Sequence, residues 1–241
     1  MPEQDPAVEM ALIRADLEAM QTELKAVRKE LKDLLDAWNT ATGVVRFVKW
    51  LSTLVAAIAV ITPMTPLPPA YGWLDDLRPL PRMLEEARKL YGTFEVAGPA
   101  SNPLILEWAK EVGLARTYLE DGIPWCGLFM AVVAKRGGKP IVERPLWARN
   151  WAKFGKAADK AQLGDVLVFR RGQGSGHVGL YVGEDYGAYH VLGGNQSDGV
   201  TITRIAKERC IAVRRPAYRK APATAKPVQL AATGTLSTNE A

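Results

Sequence analysis

Apolar residues near the N-terminus recur in alternating steps of four and three: Ile13, Leu17, Met20, Leu24, Val27, Leu31, Leu34 and Trp38. A 3.5-residue period held for about four heptads is the signature of a coiled-coil seam rather than of a helix lying on its own core. Glu23, Lys25, Arg28, Lys29, Glu30, Lys32 and Asp33 occupy the other faces, and no Gly or Pro interrupts Ala7 to Trp38. Residues 1–42 are therefore expected to form one helix that self-associates, since so narrow a stripe is marginal alone. The pattern changes at residues 43–64. No charge falls between Trp50 and Trp73, and Val44 to Thr62 reaches the length of a membrane span if Arg46 and Lys49 snorkel to the interface. Arg28, Lys29, Lys32, Arg46 and Lys49 precede this stretch and only Arg78 and Arg82 closely follow it. The positive-inside rule then predicts a single-pass inner-membrane anchor, with the N-terminus cytoplasmic and the remainder periplasmic or extracellular. Pro66, Pro68 and Pro69 mark residues 65–79 as a linker.

Residues 80–216 read as a globular domain in two halves. The first half is helical: Leu80 to Tyr91, a helix capped by Asn102 and opened by Pro103, an apolar helix from Gly127 to Lys135 stopped by Gly137-Gly138, and a short one from Trp147 to Phe154. After Gly164 the period becomes that of strands, at Asp165–Phe169, His177–Val182, Ala188–Leu192, Val200–Ile205 and Cys210–Arg214, separated by Gly-rich turns. Helices first and strands second predict an α+β fold with a small antiparallel sheet. Residues 217–241, rich in Ala, Thr, Pro and Lys without periodicity, are expected to be disordered.

The chain has 241 residues, 48% of them hydrophobic and 24% charged, which excludes wholesale disorder and a polytopic membrane protein. Two cysteines and two histidines are too few for a disulfide scaffold or a zinc site, and no cofactor or metal is expected. The net charge of +5 is spread without a Lys/Arg stripe and interleaved aromatics, so nucleic acid is not an expected partner.

Cys126 stands where a loop becomes a helix, and the positive end of the helix dipole favours its thiolate. His177 opens a strand after the turn Gly172–Gly176 and can serve as its base. A third polar group should orient the imidazole. His190, on the next strand, and Asn195, in Gly193-Gly194-Asn195-Gln196, are both candidates. Trp108, Trp147 and Trp151 could offer aromatic faces to sugars or fill the core. Cys210 reads as structural, with a Cys126–Cys210 disulfide open outside the cytoplasm.

Three motifs taken together resemble the NlpC-type and CHAP-type papain-like cysteine peptidases and amidases. They are Pro124-Trp125-Cys126-Gly127-Leu128-Phe129, Leu163-Gly164-Asp165-Val166-Leu167-Val168-Phe169, and Gly176-His177-Val178-Gly179-Leu180-Tyr181-Val182-Gly183. Val191-Leu192-Gly193-Gly194-Asn195-Gln196-Ser197-Asp198 is similar to the phage, endolysin-like branch. The resemblance covers Leu84 to Pro216. It implies a papain-like fold, hydrolysis of a peptidoglycan amide, Cys126 as nucleophile and His177 as base. The third residue maps to His190 by the NlpC-type pattern or to Asn195 by the CHAP-type pattern, with Asn195 slightly favoured for its Gly-Gly-Asn-Gln setting. Trp125 replaces the Asp or Gln usual before the cysteine. The expected function is a membrane-anchored, endolysin-like peptidoglycan hydrolase. The alternative is a holin-like or structural phage membrane protein whose C-terminal domain is a non-catalytic, wall-binding passenger.

Overall fold

The computed structural model describes residues 17–18, 20–32, 64–98, 100–232 and 234–238. The chain divides into two units, Met1–Pro63 and Met64–Ala241. In the first unit, residues 20–32 form a helix, α1. The seam residues Met20, Leu24, Val27 and Leu31 all lie on it between 61% and 68% exposed. The rest of the expected coiled coil, and all but Met64 of the expected membrane span at residues 43–64, lie outside the described residues. Among the described residues no helix is long and apolar enough to cross a membrane.

The second unit is α+β, with helices packed on an antiparallel sheet. Its helices are α2 (Trp73–Asp76), α3 (Arg82–Lys89), α4 (Pro103–Glu111) and α5 (Cys126–Arg136). The strands are β1 (Lys156–Ala157), β2 (Val166–Arg171), β3 (Ser175–Glu184), β4 (Ala188–Gly193), β5 (Thr201–Ala206) and β6 (Cys210–Arg215). They form one six-stranded sheet in the order β1-β6-β2-β3-β4-β5, with every pairing antiparallel.

α5 is the centre of the unit. Every residue from Cys126 to Ala134 is buried, as a helix apolar on all sides must be. Its charged end, Lys135 and Arg136, marks where it leaves the core, and Arg136 pairs with Glu111 of α4 at 2.6 Å. The expected cap on α4 is present: the Asn102 side chain accepts from the Leu104 N–H at 2.9 Å. Val166, Val168, Val178, Leu180 and Val182 alternate along β2 and β3 into the core that they share with the helices. Leu167, Phe169, Tyr181, Val191 and Ile205 gather in a smaller cluster of their own. With two apolar faces to cover, the central strands are buried at nearly every position.

Two boundaries differ from the sequence expectation. Residues 65–79, expected to be a linker, are built into the domain: Leu74 and Tyr71 are buried, and Asp75 holds Arg88 of α3 through two bonds of 2.7 and 2.8 Å. An interleaved apolar residue every few positions is enough to anchor a proline-rich stretch. Of the tail at 217–241, expected to be disordered, residues 217–232 and 234–238 follow a defined path through backbone pairing. The Leu163 N–H donates to Lys226 O, Glu184 N–H to Val228 O, Leu230 N–H to Glu184 O and Ser237 N–H to Arg204 O, at 2.8–3.0 Å. Main-chain hydrogen bonds of this kind need no hydrophobic periodicity, so composition alone does not disclose them.

Candidate active site

Cys126 is the first residue of α5, and its thiol is buried. Burial pushes the thiol up to about 11, while the backbone N–H groups of Val178 and Gly127 oppose that rise. Val178 follows His177 on β3, so the sulfur lies against the strand that carries the histidine. The resting cysteine is therefore a thiol, not a standing thiolate.

His177 is fully buried, with its ring 6.4 Å from that of Phe169, its register partner on β2. Its Nε2 bonds Gln196 Oε1 at 3.0 Å. A carboxamide oxygen only accepts, so Nε2 carries the proton and Nδ1 is the basic nitrogen of the neutral ring. Gln196 is itself held: its Nε2 donates to Thr201 O at 2.7 Å and to Val191 O at 3.2 Å. Both donors are spent on carbonyls, which fixes the amide with its oxygen toward the imidazole. Gly193 leaves room for this pair, because a Cβ there would lie 2.8 Å from Gln196 Oε1 and 3.2 Å from His177 Nε2.

Both orienting candidates drawn from the sequence have hydrogen-bond partners of their own. His190 pairs in register with Gly183, six residues along β3 from His177, which is about 20 Å of strand. It serves a separate network: Tyr71 OH bonds Nδ1 at 2.7 Å, and Nε2 bonds Asp185 Oδ2 at 3.0 Å. Asn195 is near the site but turned away from the imidazole. It sits at φ 57°, in the left-handed region that Asn tolerates, and its Oδ1 accepts from the Trp125 N–H at 3.0 Å. Asn195 thus braces Trp125, the residue before Cys126, and its neighbour Gln196 meets His177. Gln196 lies within the Gly-Gly-Asn-Gln motif. The signal that separates the two is the turn itself, which rotates successive side chains to opposite sides.

Glycines let the surrounding loops close on the site. A Cβ at Gly127 would fall 2.1 Å from Pro145 O, and one at Gly194 would fall 2.6 Å from both Phe129 Cβ and Trp125 Cζ3. Of the three tryptophans considered for sugar contact, Trp108 and Trp151 are fully buried and Trp147 is 67% exposed. Cys126 and Cys210 are both free. Cys210 is in β6 opposite Phe169 and packs against the smaller cluster, whereas Cys126 belongs to the larger core. Among the described residues, no group of three or more His, Cys, Asp or Glu could hold a metal ion.

A cysteine opening a buried helix, packed on an antiparallel sheet whose strand presents a histidine with an amide partner, is consistent with a papain-like arrangement. The comparison with known families agrees. Residues 125–215 match the model of the NlpC/P60 family, whose members are in general cysteine peptidases or amidases. No curated protein matches the chain.

Proposed function

We propose that the second unit hydrolyses an amide bond of peptidoglycan, with Cys126 as nucleophile, His177 as base and Gln196 as the group that orients the imidazole. The observation that carries this reading is the junction of α5 and β3: the Cys126 sulfur on the Val178 N–H, and the adjacent His177 held at Nε2 by Gln196. Because burial holds the sulfur as a thiol, the proton leaves during attack. The S–H proton passes to His177 Nδ1 as the S–C bond forms at the amide carbonyl. Backbone N–H groups at the start of α5 receive the oxyanion. His177 then gives its proton to the leaving nitrogen as the C–N bond breaks. Water, deprotonated by His177, cleaves the thioester, and the proton returns to sulfur.

The same proposal extends to the first unit. The exposed seam of α1 supports self-association through a coiled coil. The uncharged run from Trp50 to Thr62 supports membrane attachment through residues 44–62, which would hold the enzyme beside the wall in an endolysin-like role. The test is the full chain, wild type and Cys126→Ala, incubated with isolated peptidoglycan, with products read by mass spectrometry. Fragments released by the wild type alone are expected, and their masses identify the bond as muramoyl–alanine or within the stem peptide. Equal fragments from both, or none from either with the protein folded and Cys126 reduced, overturn the reading.

A further inference from the structure

Glu95 lies outside the segment matched to the NlpC/P60 family, yet its carboxylate joins the two loops of the site. Its Oε1 accepts from the Trp125 indole Nε1–H at 2.6 Å and from Asn195 Nδ2–H at 2.9 Å. Asn195 Oδ1 in turn accepts from the Trp125 backbone N–H at 3.0 Å, which closes a ring of three hydrogen bonds. One side of that ring is the residue before the nucleophile. The other is the residue before the imidazole's partner. The backbone of Glu95 is fixed in the same place: its N–H donates to Asp198 O at 2.8 Å, and the flanking segment pairs with residues 199 and 200 through the Phe94–Gly199 bridge and the Val200 N–H bond to Thr93 O at 2.8 Å.

We infer that Glu95 is a positioning residue of the catalytic centre, setting the spacing between Cys126 and the His177–Gln196 pair by tying Trp125 to Asn195. This rests on the proposed hydrolase reading for its kinetic consequence but not for its geometry. Both donors meet the same oxygen, so a carboxamide oxygen serves equally well and the negative charge is dispensable. Burial and the neighbouring Asp198 and Asp121 already pull the Glu95 carboxyl above the usual carboxylate range, which makes a neutral acceptor a close substitute.

The experiment compares full-chain wild type, Glu95→Gln and Glu95→Ala, all in a Cys210→Ser background that leaves one thiol. Two quantities are read: kcat and KM on soluble muropeptides cut from peptidoglycan by a muramidase, and the rate of Cys126 alkylation by iodoacetamide. Glu95→Ala is expected to lower kcat at least tenfold with KM within twofold, and to raise the alkylation rate at least fivefold as the two loops part over the buried sulfur. Glu95→Gln is expected to match the wild type within threefold in both. Wild-type behaviour of Glu95→Ala overturns the inference, as does equal loss in Glu95→Ala and Glu95→Gln, which would point to an acid–base role. If the wild type cleaves no muropeptide, the hydrolase reading fails and the alkylation rates alone decide the brace. If Glu95→Ala does not fold while Glu95→Gln does, Asn195→Gly, which also removes two bonds of the ring and suits the left-handed backbone there, must reproduce the predicted kcat and alkylation changes or the inference falls.

Discussion

Removing the Gln196 side chain at Cβ isolates the contribution of the group that holds the base. In Gln196→Ala the imidazole loses its amide partner at Nε2, a 3.0 Å bond to a fully buried ring. During attack His177 becomes an imidazolium, so the lost bond is one to a charged group, worth about 1.5–3 kcal/mol. The bond strengthens as the charge forms, so the loss falls on the transition state rather than on substrate binding. At about 1.4 kcal/mol per tenfold, kcat should fall roughly 10- to 150-fold with KM little changed. The truncation also strands the Thr201 and Val191 carbonyls that the amide had satisfied, so a fall in melting temperature is expected alongside. Gln196→Glu separates the two effects, because it keeps an acceptor toward Nε2 while losing both donors. It should retain more kcat than Gln196→Ala while melting no higher. The control is His190→Gln, which by its position opposite Gly183 should leave kcat within about threefold. The assay is steady-state turnover of muropeptides beside thermal melting of the same samples. A Gln196→Ala enzyme with kcat within twofold of wild type, or a folded His190→Gln enzyme that is inactive, refutes the assignment.

The Asp185 cluster is expected to govern acid stability. The Arg204 guanidinium, helped by the Gly187 and Ala188 N–H groups and His190, holds the Asp185 carboxyl well below the usual carboxylate range, and burial pulls the His190 imidazole below its ordinary value. Both folded values are depressed, so the stability they contribute is present above the unfolded values, about 6.5 for His and 3.9 for Asp, and is lost as pH falls through the folded ones. Melting temperature should decline in two stages on acidification, first below about pH 6.5 and then below about pH 4, and the second stage should vanish in Asp185→Asn. At neutral pH Asp185→Ala should cost about 3–5 kcal/mol by denaturant titration, since it leaves Arg204 beside an unfilled site. Gly127→Ala should destabilise by about 1–3 kcal/mol and lower turnover at least tenfold, because its methyl must displace the Pro145 carbonyl that crosses the start of α5. A Gly127→Ala variant with wild-type turnover and melting would show that the loop yields without consequence.

The parts of this fold that depend on local pattern are legible in the chain. α5 shows as an apolar run ended by two glycines, and five of the six strands fall within a few residues of their alternating runs. Cys126 and His177 are legible for the same reason, since each stands at the end of an element that its neighbours define. The partner of the imidazole is not, because it depends on a register and a turn. The register sets His190 opposite Gly183, and β4 ends at Gly193, before Asn195. Beyond Gly193 the chain enters a left-handed turn with positive φ at Asn195, Ser197 and Asp198. In such a turn adjacent side chains diverge, and the choice between Asn195 and Gln196 is made by a backbone rotation that residue types do not reveal.

The Asn195 and Gln196 amides then divide one task between them. Asn195 holds the Cys126 side through Trp125, and Gln196 holds His177 through Nε2. Because they are consecutive, any movement of the 193–199 loop shifts both supports together. The loop is pinned by the Gln196 N–H bond to Gly199 O at 2.9 Å and by the pairing of residues 92–95 with 198–200. A rigid loop that carries both supports keeps sulfur and imidazole in a fixed relation, and it does so with neutral amides that leave the charge of the imidazolium to be balanced by the reacting groups. The buried thiol fits that arrangement. At His177 Nε2 the partner is a neutral amide rather than a carboxylate, and the sulfur beside the strand is kept protonated by burial.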